Sequence, residues 1–168
     1  PLIFKWNDPV KGEQKMNWVV TPKVTANLDQ DVKIFTPLKK QKVTINLRSH
    51  SKNQSGSIEL KTPRGWNVTG SNLFQFKLAD EEQKIIFEIT PASNAETGFA
   101  EVYINGRLAK GFNPIAYDHI SSQLWFPDAK MKLVSLDLNI PYKKVGYLMG
   151  AGDKVGDALL NLGYELDF

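Results

Sequence analysis

Residues 42–48 read KVTINLR, and the reading of that alternation decides the fold. Successive side chains of an extended strand point to opposite faces. Val43, Ile45 and Leu47 therefore share one side, and Thr44, Asn46 and Arg48 share the other. The same period of two recurs in KIIFEIT (84–90), which aligns Ile85, Phe87 and Ile89. It recurs again in KLVSLDLNI (132–140), with Val134, Leu136, Leu138 and Ile140 in line. KVTANLD (23–29) is a weaker version carrying Val24, Ala26 and Leu28. Strands with one apolar face belong to antiparallel sheets that cover a core on one side and meet water on the other.

Turn chemistry separates the runs. TPRGW (62–66) is a turn, and INGRL (104–108) carries the Asn-Gly pair of a tight hairpin. Pro22, Pro37, Pro63, Pro91, Pro114, Pro127 and Pro141 fall between or at the edges of the runs, where a missing N–H costs least. About seven to nine strands are expected before residue 141, at spacings that favour a two-sheet antiparallel β-sandwich. Its expected core comprises Val43, Ile45, Leu47, Ile85, Phe87, Ile89, Val134, Leu136 and Leu138.

The pattern changes near residue 143. In VGYLMGAGDKVGDALLNLGYELDF (145–168), a short apolar run leads through Gly150 and Gly152 into a helical pattern. Asp153 is the expected N-cap, Val155, Ala158, Leu159 and Leu162 form the apolar stripe, and Gly163 is the stop. This predicts a truncated β-α-β unit. The chain then divides into an N-terminal linker or extension (1–19), the sandwich (20–142) and that unit (143–168). A start at Pro1 is expected of a chain that was processed or cut from a longer one. The stripe of the 153–162 helix is expected to pack against the sandwich or a second copy, with self-association through 145–168.

Bulk composition narrows the function classes. With 42% hydrophobic and 23% charged residues, the chain has the make-up of a globular domain. No apolar run approaches the roughly 18 residues of a membrane span. The first 70 residues carry 12 Lys and Arg against 5 acids, and no acid lies between Asp31 and Glu59. Aromatic residues for base stacking are nearly missing there, so alternate lysines on a solvated strand face explain the charge better than nucleic-acid binding.

Few residues are arranged for chemistry. Without cysteine there is no thiolate or cysteine zinc site, and His50 and His119 stand alone, so neither a metal nor a cofactor is expected. Asp118 precedes His119, and Ser121 and Ser122 follow, but neighbours on a strand face opposite ways and no nucleophile elbow surrounds the serines. Glu81 and Glu82 sit in a polar turn without the shelter that tunes a catalytic carboxylate. GAGDKVG (150–156) misses the dinucleotide-binding spacing by one residue, and Asp153 puts a negative charge where a phosphate would sit. Trp6, Trp18, Trp66 and Trp125 are scattered, and Trp66 beside the PRG turn is the residue expected to be exposed.

Five stretches occur in an order that resembles a known family: FKWNDPVKGE (4–13), VTPKVTANLD (20–29), IELKTPRGWNV (58–68), YDHISSQLWFP (117–127) and VGYLMGAGDKVGDALLNLGYEL (145–166). Together they resemble the region after the catalytic domain of long bacterial PIG-L/LmbE-like deacetylases. In that family a zinc-dependent N-deacetylase domain is followed by an immunoglobulin-like sandwich and a domain similar to glutamine amidotransferases. The resemblance transfers no catalytic residue, because nothing here matches the family's Pro-His-Pro-Asp-Asp-type zinc stretch. It implies a non-catalytic accessory domain for spacing, docking or substrate presentation, inside a parent that acts on N-acetylated sugars in a periplasmic or secreted setting. The implied partners are the catalytic and C-terminal domains of the parent, and residues 145–168 would open the latter. The alternative expectation is a carbohydrate-binding module in which Trp66, Tyr117 or Trp125 stacks on a glycan.

Overall fold

The chain opens with a hairpin of β1 (Ile3–Asp8) and β2 (Gly12–Asn17). Its turn is built by Asp8, whose Oδ1 accepts hydrogen bonds from the backbone N–H groups of Val10 and Lys11, both at 2.8 Å. Ten strands make the sandwich: β3 (Val24–Leu28), β4 (Val32–Phe35), β5 (Gln41–Ser49), β6 (Gln54–Lys61), β7 (Trp66–Gly70), β8 (Leu73–Phe76), β9 (Glu82–Pro91), β10 (Gly98–Ile104), β11 (Arg107–Leu108) and, later, β14 (Lys130–Ser135). Between the last two lies a second hairpin, β12 (Asn113–Ile115) with β13 (Gln123–Trp125). The chain finishes with β15 (Lys144–Gly146), helix α1 (Val155–Leu162) and β16 (Glu165–Asp167). The computed structural model describes residues 2–117, 120, 122–138, 143–150, 152–153 and 155–167, without the side chain of Asn161.

One sheet runs β3-β5-β9-β7, with every neighbour antiparallel. The other runs β4-β14-β10-β6-β8, with β11 folded back beside β10. These sheets take the A-B-E-D and C-F-G positions of an immunoglobulin-like sandwich. Two departures from plain alternation complete it. After β3 the chain crosses sheets and β4 pairs in parallel with β14, so the first strand contributes to both layers. The segment 66–76 also divides itself, as β7 pairs with β9 and β8 then pairs with β6. Gly70 lies at this crossing, where a Cβ would sit 2.8 Å from the Ile86 carbonyl oxygen.

The expected core strands are in place. Val43, Ile45 and Leu47 on β5 face Phe87, Ile85 and Gln83 on β9, and these apolar residues are buried along with Ile89, Phe35, Ile58 and Val102. The Asn-Gly hairpin forms between β10 and β11, with Asn105 and Gly106 at φ of 49° and 76°. Both central residues of such a turn need positive φ, which asparagine and glycine tolerate.

The register read for residues 132–140 is corrected. Met131 and Leu133 point into the core, Val134 is half-buried, and Leu136 and Leu138 lie past the end of β14 at 43% and 37% exposure. Ladder pairing decides this, with Met131 opposite Ala100 and Leu133 opposite Gly98. A shift of one residue exchanges the two faces of a strand, and the apolar run offered both registers. Ile140, Pro141 and the boundary drawn at 142 lie outside the described residues. The strand count also rises: 14 strands precede residue 141 among the described residues. The excess comes from pieces of two to four residues, too short to show a period, and from the hairpin within the stretch read as an extension.

The last segment is the expected β-α-β arrangement. β15 and β16 pair in parallel, joined through α1. Asp153 caps the helix by accepting the Val155 N–H at 2.7 Å, and the Tyr147 hydroxyl donates to its other oxygen. α1 lies against β4 of the sandwich. Its stripe is only partly covered, since Leu159 and Leu162 are half-buried while Val155 and Ala158 are exposed.

Candidate functional site

The two hairpins gather most of the exposed aromatic surface. In β1–β2 the even-numbered residues share one face, because Phe4 pairs with Met16 and Trp6 with Gln14. Leu2 and Trp18 extend that face, held by the Trp18 N–H donating to the Leu2 carbonyl at 2.9 Å. The odd-numbered face is mostly polar, with Glu13 bridging Lys5 at 3.3 Å and Lys15 at 3.0 Å. Phe4 and Trp6 stack with centroids 5.6 Å apart and planes 28° from parallel. The hairpin is thus amphipathic, and its aromatic face stays partly open, with Phe4 at 50% and Trp18 at 68% exposure.

A parallel bridge between Met16 and Ser122 joins this hairpin to the start of β13. There Trp125 is 57% exposed, and Tyr117, just after β12, is 63% exposed. The second hairpin is fastened to the sandwich by Asn27 on β3. The Asn27 amide donates to the Phe112 carbonyl at 3.0 Å and to Asn113 Oδ1 at 3.1 Å, and it accepts the Phe112 N–H at 2.8 Å. One side chain thereby imitates a strand partner.

Phe112 is also where His50 is used. The His50 ring meets it edge-on at 4.8 Å, and the Arg48 guanidinium lies 5.3 Å from its centroid. His50 Nε2 and the buried Thr25 hydroxyl are hydrogen-bonded at 2.9 Å. Burial first, then the Arg48 charge, hold the imidazole pKa below its ordinary value, while Asp80 pulls the other way. Arg48 itself contacts Asp80 at 3.1 Å and Glu82 at 3.5 Å. This is a seam between hairpin and sandwich.

Of the three aromatics read as glycan-stacking candidates, Trp66 is a correction. It is 9% exposed, packs edge-on against Phe35 at 5.0 Å, and donates its indole N–H to the Glu96 carbonyl at 2.8 Å. A buried indole with its N–H satisfied is a core plug, so the turn at 62–65 does not present it. Tyr117 and Trp125 are exposed on the second hairpin. Asp118, His119 and Ser121 lie outside the described residues. Glu81 and Glu82 are not brought together as an acid pair, as Glu81 accepts the Lys77 N–H at 2.8 Å and Glu82 faces Arg48. At α1, the Asp153 carboxylate already holds the Val155 N–H that a phosphate would need. Its pKa is lowered, by the Tyr147 hydroxyl first and the Val155 N–H second.

Among the described residues no group of three or more His, Asp or Glu is placed to hold a metal ion, and no helix is long and apolar enough to cross a membrane. The amphipathic hairpin is the feature that sequence reasoning missed. Its signal was present in Phe4 and Trp6 alternating before an Asp-Pro-Val-Lys-Gly turn, with Met16 and Trp18 alternating after it. The sequence matches no protein-family model, and no curated protein matches it with significant similarity.

Proposed function

We propose that this chain is a non-catalytic accessory sandwich of a PIG-L/LmbE-like N-deacetylase, docking on the catalytic domain through its N-terminal hairpin. The observation that carries this reading is the partly open, largely aromatic face of Leu2, Phe4, Trp6 and Trp18, backed by a mostly polar face. A two-stranded hairpin is marginal in water by itself, and one that displays stacked aromatics gains by covering them. Aromatic anchors of this kind dominate interface energetics. The ordered resemblance of five sequence stretches names the partner.

The test mixes the chain with a purified PIG-L/LmbE-like catalytic domain and measures association by isothermal titration. Saturable binding that the double substitution Phe4→Ala, Trp6→Ala abolishes supports the proposal. Absence of binding, or hydrolysis of N-acetylglucosamine substrates by the isolated chain, overturns it.

A second reading rests on Tyr117 and Trp125, both exposed and both on the β12–β13 hairpin or its continuation. Such rings can stack on sugars. Titration with chitin and peptidoglycan fragments decides it: flat traces remove glycan binding, and a saturable trace lost in Trp125→Ala establishes it.

A further inference from the structure

One concavity of the sandwich is built from other residues than the hairpin faces. It is a cleft of about 640 Å³ between the start of β3, the start of β6, β8 and the β10–β11 turn. That volume is within the range of small-molecule sites, roughly 300–1,000 Å³. Its lining includes three cations, Lys23, Arg107 and Lys110, and no Asp or Glu. Lys110 is neutralised by Asp128 at 2.6 Å. Lys23 and Arg107 have no ionic partner among the described residues. The floor is apolar, with Val24, Phe74 and Ile104.

One polar group in the cleft is fixed in advance. Asn105 is held in the left-handed region by the hairpin turn, and its Oδ1 accepts the Ser57 N–H at 2.9 Å. Its side chain lies over Gly56, where a Cβ would sit 2.1 Å from Oδ1, so only glycine at 56 leaves that place open. With the oxygen engaged, Nδ2 is left as a donor without a partner among the described residues.

We propose that this cleft binds a monocarboxylate carrying an apolar chain or ring. The carboxylate meets Lys23, Arg107 and the Asn105 amide, and the body lies on Val24, Phe74 and Ile104. Charge-assisted bonds to lysine and arginine are the stronger kind, and a guanidinium matches a carboxylate with two parallel donors. The apolar floor selects against inorganic phosphate, which would leave it wet. The absence of acids from the lining selects against amines.

The test uses the whole chain, with octanoate as the probe and backbone amide NMR shifts of Ser55, Asn105 and Gly106 as the readout. Octanol, octylamine and inorganic phosphate serve as the comparison arms. Saturable shifts with octanoate, at least tenfold weaker for the three comparison compounds, are expected. The charge reversals Lys23→Glu and Arg107→Glu are exposed changes that preserve the fold, verified by near-UV circular dichroism, and each weakens binding at least tenfold. Asn105→Gly keeps the turn while removing the amide, and it weakens binding severalfold. No saturable shift up to millimolar octanoate, equal binding of octanol, or full binding by both charge-reversed chains overturns the proposal. Because Phe4 and Trp6 take no part, the double substitution that tests docking leaves octanoate binding unchanged.

Discussion

β5–β9 and β1–β2 are both antiparallel pairs with alternating apolar residues, and they end in opposite circumstances. In the first, Val43, Ile45, Leu47, Ile85, Phe87 and Ile89 are at most 4% exposed, because a second sheet covers them. In the second, Phe4, Trp6 and Trp18 keep between 38% and 68% of their surface in water. Pairing therefore does not decide how much a strand contributes to stability; cover does. Burying apolar area is worth roughly 25 cal/mol per Å², which the first pair gains and the second largely forgoes. The hairpin's unburied aromatics are what the proposed docking rests on.

The comparison breaks most visibly at Phe87. Phe87→Ala removes a buried β9 ring from the core and is expected to cost about 3–5 kcal/mol. Urea denaturation measures it, and a loss below about 1 kcal/mol would put that side chain at the surface. The corrected register of β14 has its own pair of variants. Leu133→Ala should cost about 2–5 kcal/mol, and Leu136→Ala about 0.5 kcal/mol or less, since only the former is enclosed. Equal losses would restore the register in which Val134, Leu136 and Leu138 face inward.

That pair of leucines shows what local sequence can decide. β5 and β9 were legible because their alternation has one register, with polar residues at the alternate positions except for Ile86. The Asn105–Gly106 turn and the Asp153 cap were legible because each answers a backbone requirement within a few residues. In MKLVSLDL (131–138) apolar residues stand at both parities, and only the ladders to β10 and β4 choose between them. Trp66 was misplaced for a related reason. Its neighbours 62–65 form a turn, but its ring is received by Phe35 from another part of the chain. The cleft beside the β10–β11 turn was not legible, because Lys23 and the Gly56 segment reach Asn105 and Arg107 only after folding.

A milder effect is expected in the hairpin. Trp6→Ala removes a stacked pair and a partly covered ring, worth about 0.5–1.5 kcal/mol for the pair. The loss should be confined to β1 and β2, seen as faster amide hydrogen exchange there with β5 and β9 unchanged, because exposed elements open locally. Faster exchange throughout the sandwich would show that the hairpin is part of its core and not an appendage.

The smallest effect is a pH dependence at the seam between the sandwich and the β12–β13 hairpin. His50 is pressed against Phe112, beside Arg48 and bonded to Thr25, and its folded pKa is below the ordinary 6.5. Above that value the imidazole is neutral in both states and pH has no leverage through this group. As pH falls through 6.5 the unfolded chain takes up a proton that the folded chain resists, so stability declines and levels off below the folded pKa. Between pH 7.5 and 5.5 the native chain should lose more stability than His50→Gln, which cannot ionise. Urea melts of the two proteins at both pH values give the comparison. Equal slopes, or a native chain that gains stability on acidification, would mean that the folded surroundings of His50 do not disfavour the charged imidazole.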